Sequence, residues 1–163
     1  MKKLIGLFML FVFAAVLSYA AETDAVNGTA KAKIVEAVTL HHETTDALNF
    51  GIIVQPEADT TVTVAPNGNV TDGTGVQHVA GETISADTFT VEGLGDAHYA
   101  VKLPTAAATL TGPSGTMTVD TFTTDAAGSN NTATAFHIGG TLHIAQDQPV
   151  GEYTGNYPIS ITY

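Results

Sequence analysis

Residues 153–163 read Tyr-Thr-Gly-Asn-Tyr-Pro-Ile-Ser-Ile-Thr-Tyr, and their alternation decides the fold. Tyr153, Tyr157, Ile159, Ile161 and Tyr163 share one parity with Gly155, while Thr154, Asn156, Pro158, Ser160 and Thr162 share the other. Successive side chains of a strand point to opposite faces, so the stretch offers one aromatic, apolar face and one polar face. The pattern predicts a half-buried strand running to Tyr163, and around it an all-β sandwich or barrel.

Working back from that strand, similar runs recur between turn signals. Strands are expected over 31–40, over 48–54 with Leu48, Phe50, Ile52 and Val54 on one face, over 60–65, and briefly over 76–79. Phe89 with Val91, and Tyr99 with Val101 and Leu103, mark two more. Met117 and Val119 lead a longer one whose parity changes at Phe122, which predicts a β-bulge. Residues 136–144 admit two readings, because Gly139-Gly140 has the composition of a hairpin turn. A turn would mix polar and apolar residues on both faces. A continuous strand instead puts Phe136, Ile138, Leu142 and Ile144 on one side and His137, Thr141 and His143 on the other, with Gly140 small where something packs closely. Parity therefore favours the continuous strand. About nine strands at intervals of 8–12 residues fit an antiparallel sandwich. Only Ala106–Ala108 has any helical character.

The amino terminus reads differently. Lys2-Lys3, the apolar run Leu4–Leu17 and small residues before Ala21 form a signal peptide, residues 1–20, cleaved before Ala21. An apolar run of about 14 residues is short for a membrane span, which needs about 20. The expected mature chain is a single domain, residues 21–163, exported to the periplasm, cell surface or medium without a membrane anchor. It has no cysteine, so sheet and core must stabilise it without disulfides. Its three basic residues, Lys31, Lys33 and Lys102, face 16 acids, a net charge of −13. Such a surface repels phosphate backbones and argues against nucleic-acid binding. The 26 threonines suit the solvent faces of strands.

Leu48-Asn49-Phe50-Gly51, Met117-Thr118-Val119, Gly139-Gly140-Thr141-Leu142, Gly151-Glu152-Tyr153-Thr154-Gly155 and the final Tyr163 together resemble an exported bacterial family, domain of unknown function 4402. More distantly, the Leu-Asn-Phe-Gly start and the Gly-x-Tyr closing strand are similar to spore coat protein U and the archaic chaperone–usher pilins. The resemblance spans about residues 30–163, implies an immunoglobulin-like β-sandwich at the cell surface or in the periplasm, and carries no catalytic residues across. Two departures stand out. The cysteine pair of spore coat U-like proteins is missing. The segment before the first strand, Ala21 to about Thr29, carries only one large apolar residue, Val26, so strand donation would fall to the Ala30–Leu40 run.

Chemistry-bearing clusters are few. His41, His42, Glu43 and Asp46 fall in one expected loop, 41–47, and are the best metal candidates, although neighbouring histidines are common on surfaces. His137 and His143 lie about 20 Å apart along one strand and cannot share an ion. Asn67, Asn69, Asp72 and the 125–132 loop hold oxygens but lack a calcium-loop cadence. Ser114 in Gly112-Pro113-Ser114-Gly115 misses the nucleophile elbow by one residue. Neither a catalytic nor a cofactor site is assigned. Phe50, Gly51, Gly140, Leu142, Gly151, Tyr153, Tyr157 and Tyr163 are read as structural, the two internal tyrosines of the last strand resembling a tyrosine corner. The expected function is a non-enzymatic exported structural or surface subunit, pilus- or coat-like, whose partners are further copies, another exported subunit or a chaperone. The alternatives are a monomeric secreted binding module using loops 41–47 and 125–132, and a periplasmic metal-binding protein.

Overall fold

Strand β8, Ala135–Ile144, runs unbroken through Gly139-Gly140 and organises the domain. Phe136, Ile138, Leu142 and Ile144 are buried, while His137, Thr141 and His143 face outward. Apolar burial at every second position excludes the hairpin reading. The computed structural model describes residues 24–163 except Val35 and Leu94, so the signal-peptide reading lies outside the described residues. The chain divides into two units, one ending at Lys33 and one spanning Ile34–Tyr163. Residues 24–33 of the first are exposed and form no regular structure.

Among the described residues of the second unit there are nine strands and no helix. They are β1 (Thr39–His42), β2 (Thr60–Val64), β3 (Val70–Asp72), β4 (Asp87–Glu92), β5 (Ala100–Lys102), β6 (Ala108–Gly112), β7 (Gly115–Thr124), β8 and β9 (Ser160–Thr162). All pairings are antiparallel, which makes the chain an all-β antiparallel sandwich. Its layers are unequal. The large sheet has the order β1-β4-β8-β2-β3, with β7 also on β8 and β6 on β7; the small one is β5-β9. β8 pairs with β4 through Ala135–Ile138 and with β2 through Gly140–Ile144. The hand-over falls at Gly139, where one partner strand ends and the other begins.

The core follows from alternation. Val62 and Val64 of β2, Phe89 and Val91 of β4, and Phe136 and Ile138 of β8 turn inward. Phe136 stacks on Phe89 with ring centroids 5.5 Å apart and tilts toward Tyr99 at 6.0 Å. Each such side chain contributes about 1.5–3 kcal/mol relative to exposure. Outward threonines pair across strands, as in the 2.9 Å contact of Thr63 Oγ1 with Thr141 Oγ1. β7 carries a bulge between Asp120 and Thr123, with Thr121 at φ 50°, and this lets both Val119 and Phe122 reach the core. Gly140 packs closely: a Cβ there would lie 3.1 Å from Val119 and 3.3 Å from Leu48.

Several expected strands are redrawn. Of the 31–40 run only its end is a strand, displaced to 39–42, so His41 and His42 belong to β1 rather than to a loop. Residues 48–54 form only single bridges, Asn49 with Ser85 and Ile53 with His78 of the 76–79 run. Gly51 adopts φ 75° and reverses the parity, so Phe50 and then Ile53 turn toward the core while Ile52 and Val54 are exposed. β3 and β6 were not anticipated; β6 is closed onto β7 by the Pro113-Ser114 turn, with Gly112 opposite Gly115. In the last stretch Tyr153, Tyr157, Ile159 and Ile161 are half-buried and their neighbours exposed, yet a ladder forms only at Ser160–Thr162. Tyr163 lies beyond that ladder and is exposed.

Candidate functional site

Beside the small second layer the large sheet is covered by two segments that form no ladder, and a groove of about 1340 Å³ lies between them. Its floor is the sandwich interior: Leu110 of β6, Met117 and Val119 of β7, Leu142 and Ile144 of β8. One wall is the segment 47–56 and the other is 148–159. The first wall is sewn on one edge to residues 77–85, through the paired Asn49–Ser85 bonds, Val54 N to Gln77 O and Val79 N to Ile52 O. The second is pinned where Thr154 and Thr111 exchange backbone hydrogen bonds. Beyond that point residues 155–158 make no backbone–backbone hydrogen bonds to other described residues.

The walls are tied to each other and to the sheet at the two ends. At one end Gln55 Nε2 donates to the Gln148 carbonyl at 3.0 Å, and Asp147 N donates to the Pro56 carbonyl at 3.1 Å. At the other, Tyr157 Oη donates to Asp87 Oδ2, and His42 Nε2 stands 2.7 Å from Asp87 Oδ1. About eight residues of wall separate the ties, roughly 25 Å of extended chain.

Asp87 is the polar residue that matters most here. It is a carboxylate on the inward parity of β4, two residues before Phe89, and only 3% of it is exposed. Both oxygens have partners, which is what makes its burial tolerable. His42 lies at the end of β1 with its ring 4.9 Å from Phe89. Tyr157 packs on Phe122 at 4.8 Å. Burial first, then the hydrogen bond to Asp87 and its charge, push the Tyr157 phenol well above the ordinary tyrosine range. The sequence did carry a sign of this residue: in Asp87-Thr-Phe-Thr-Val91 the acid shares the parity of the two core residues.

The expected metal cluster does not converge. Because β1 continues through His42, His41 and His42 project to opposite faces: His41 Nε2 lies 3.5 Å from Glu92, and His42 meets Asp87. Glu43 accepts from Thr90 Oγ1 at 3.1 Å, and Asp46 engages Thr88 N through its backbone carbonyl. Among the described residues no three histidine, aspartate or glutamate side chains are grouped to hold a metal ion. Three of the other four histidines pair singly with aspartates. His137 Nδ1 lies 2.6 Å from Asp125, His143 Nε2 lies 2.8 Å from Asp120, and His78 Nε2 lies 2.9 Å from Asp72. Hydrogen bonds from His143 and then Thr121 hold the Asp120 carboxyl below the usual carboxylate range.

The 125–132 loop is turned inward. Asn131 Nδ2 donates to the carbonyls of Tyr99, Ala126 and Gly128, and Asp125 is taken by His137. Six of the eight residues read as structural line the groove, all but Gly140 and Tyr163. Phe50 and Leu142 are buried beside it, and Tyr153 Oη donates to the Pro149 carbonyl at 2.7 Å. Gly151 leaves room for the ring of Pro113. Tyr157 turns to Asp87 instead of to backbone.

The model of the family described as Domain of unknown function (DUF4402) matches residues 40–163. The chain belongs to that family. The match covers all nine strands but for Thr39 of β1, and every residue that lines the groove. Neither the curated proteins nor the solved structures hold a match to this DUF4402 chain.

Proposed function

We propose that this DUF4402 domain is a non-enzymatic exported subunit that assembles by strand pairing, its groove accepting an extended segment of another copy. The observation that carries the reading is the groove itself, floored by core residues and walled by two segments that, among the described residues, bond to the rest of the chain only at isolated points. An inserted strand would pair with wall backbone between those points, and side chains of one parity would pack on the core. Six to eight residues would fill the length between the ties.

Charge favours a segment of this same chain as the donor. Glu82, Asp87 and Glu152 line the groove, and no lysine or arginine does. Two of the three lysines expected in the mature chain, Lys31 and Lys33, sit in Ala30-Lys-Ala-Lys-Ile34, where Ala30, Ala32 and Ile34 alternate with them. Ile34 is 96% exposed, a large apolar side chain without cover. Small anchors suit a groove already floored by Leu, Met and Ile. The basic, apolar stretch at residues 1–17 supports export.

The test is the size and shape of residues 21–163, by light scattering and negative-stain microscopy, beside a form lacking residues 21–33. Rods or ladders of multimers lost on deletion, with the circular dichroism unchanged, are expected. A compact monomer in both forms overturns the reading and returns attention to the loops.

A further inference from the structure

We infer that Tyr157, Asp87 and His42 form a latch that holds the groove's C-terminal wall shut, and that strand entry proceeds by its release. This rests on the groove being a strand acceptor, and adds how access to it is controlled. Residues 155–158 form no ladder, and among the described residues the Tyr157–Asp87 bond is the hydrogen bond by which that stretch is held to the sheet. Upstream the wall is pinned at Thr154, and downstream at β9, so a break at Tyr157 frees the span between two fixed points.

The chemistry suits repeated opening. A buried carboxylate that lost its only partner would be stranded, at the full desolvation penalty of a charge. Asp87 does not face that penalty, because His42 remains on Oδ1 when Tyr157 leaves Oδ2, and the opened groove admits water to the vacated oxygen. The phenol, half-buried when closed, gains water on opening. Opening therefore exchanges one charge-assisted hydrogen bond and the ring contact with Phe122 for hydration, without orphaning a buried charge.

The absence of cysteine makes a thiol probe clean. Ala108 is buried and lines the groove, whereas Ala126 is buried and does not. Labelling rates of Ala108→Cys and Ala126→Cys would be compared in otherwise native and Tyr157→Phe chains. With the latch removed, labelling at position 108 should rise about ten-fold or more while position 126 stays unchanged, consistent with losing a hydrogen bond to a charged group. Equal acceleration at both positions, or none at 108, overturns the latch, the first because it reports global loosening. A synthetic peptide of residues 29–38, added to a form lacking residues 21–33, separates the two readings. Faster association with Tyr157→Phe supports the latch as a gate. Equal association rates overturn the gate while leaving the acceptor groove standing. A peptide that binds neither protein overturns the gate together with the acceptor reading, whatever the thiols report.

Discussion

Gly139 and Gly140 are adjacent, both buried in β8, and should respond very differently to a single methyl group. A Cβ on Gly140 would meet side-chain carbons of Val119, Leu48 and Phe122 at 3.1, 3.3 and 3.4 Å. Those are the ends of side chains, which yield by a few tenths of an ångström. Overpacking of that size costs about 1 kcal/mol, partly offset by the stiffer unfolded chain. A Cβ on Gly139 would lie 2.2 Å from the carbonyl oxygen of Val64 and 2.9 Å from Ala65 C and Pro66 N. Contact distances near 3.5 Å require the end of β2 to retreat by about 1 Å. Val64 is paired with Gly140 there, so a ladder bond loosens with it. Backbone displacement together with about 1 kcal/mol per weakened bond gives about 3–4 kcal/mol for Gly139→Ala. In urea, followed by far-UV circular dichroism and with m about 2 kcal/mol/M, the midpoint should fall by about 1.5–2 M, against less than about 0.5 M for Gly140→Ala. Equal shifts, or a larger one for Gly140→Ala, would refute the argument that β2 meets β8 most tightly at the hand-over.

Two further outcomes follow from the buried tyrosines. Tyr99 is fully buried and donates to the Ala133 carbonyl at 3.0 Å, so Tyr99→Phe should cost about 1–2 kcal/mol in the same unfolding assay, and a neutral result would show that water replaces the bond. The Tyr157 phenol is raised by burial and by Asp87, and that of Tyr99 by burial and then by the charge of Asp125, so the unfolded chain loses these protons first. The stabilisation is complete below the unfolded value of about 10 and is lost as pH rises from there through the folded values. Thermal midpoints should therefore decline above about pH 10, and Tyr157→Phe should flatten the decline; an unaltered slope would contradict the assignment.

Alternation alone determined the fold class. Period-2 patterns at Thr60–Val64, Asp87–Glu92 and Phe136–Ile144 demand strands with one buried face, and the same parity argument placed the bulge before Phe122 and kept Gly139-Gly140 inside a strand. Those are local consequences of the backbone pleat, which the order of residues fixes without reference to neighbours. Which strand lies beside which is not local. β8 takes β4 for its first half and β2 for its second, and nothing in residues 135–144 states that. Parity also broke where backbone conformation changed: Gly51 turned Ile52 and Val54 outward, and the run of His41 and His42 became the end of β1, which separated the two imidazoles. The groove belongs wholly to the tertiary structure. It exists because two layers of unequal size close on one core, so Val119, Leu142 and Ile144 are buried beneath wall segments that form no ladder rather than beneath a paired strand. Asp87 shows both halves of the lesson. Its inward parity was written in the sequence, but only the fold brings Tyr157, 70 residues away in the chain, to the other side of its carboxylate.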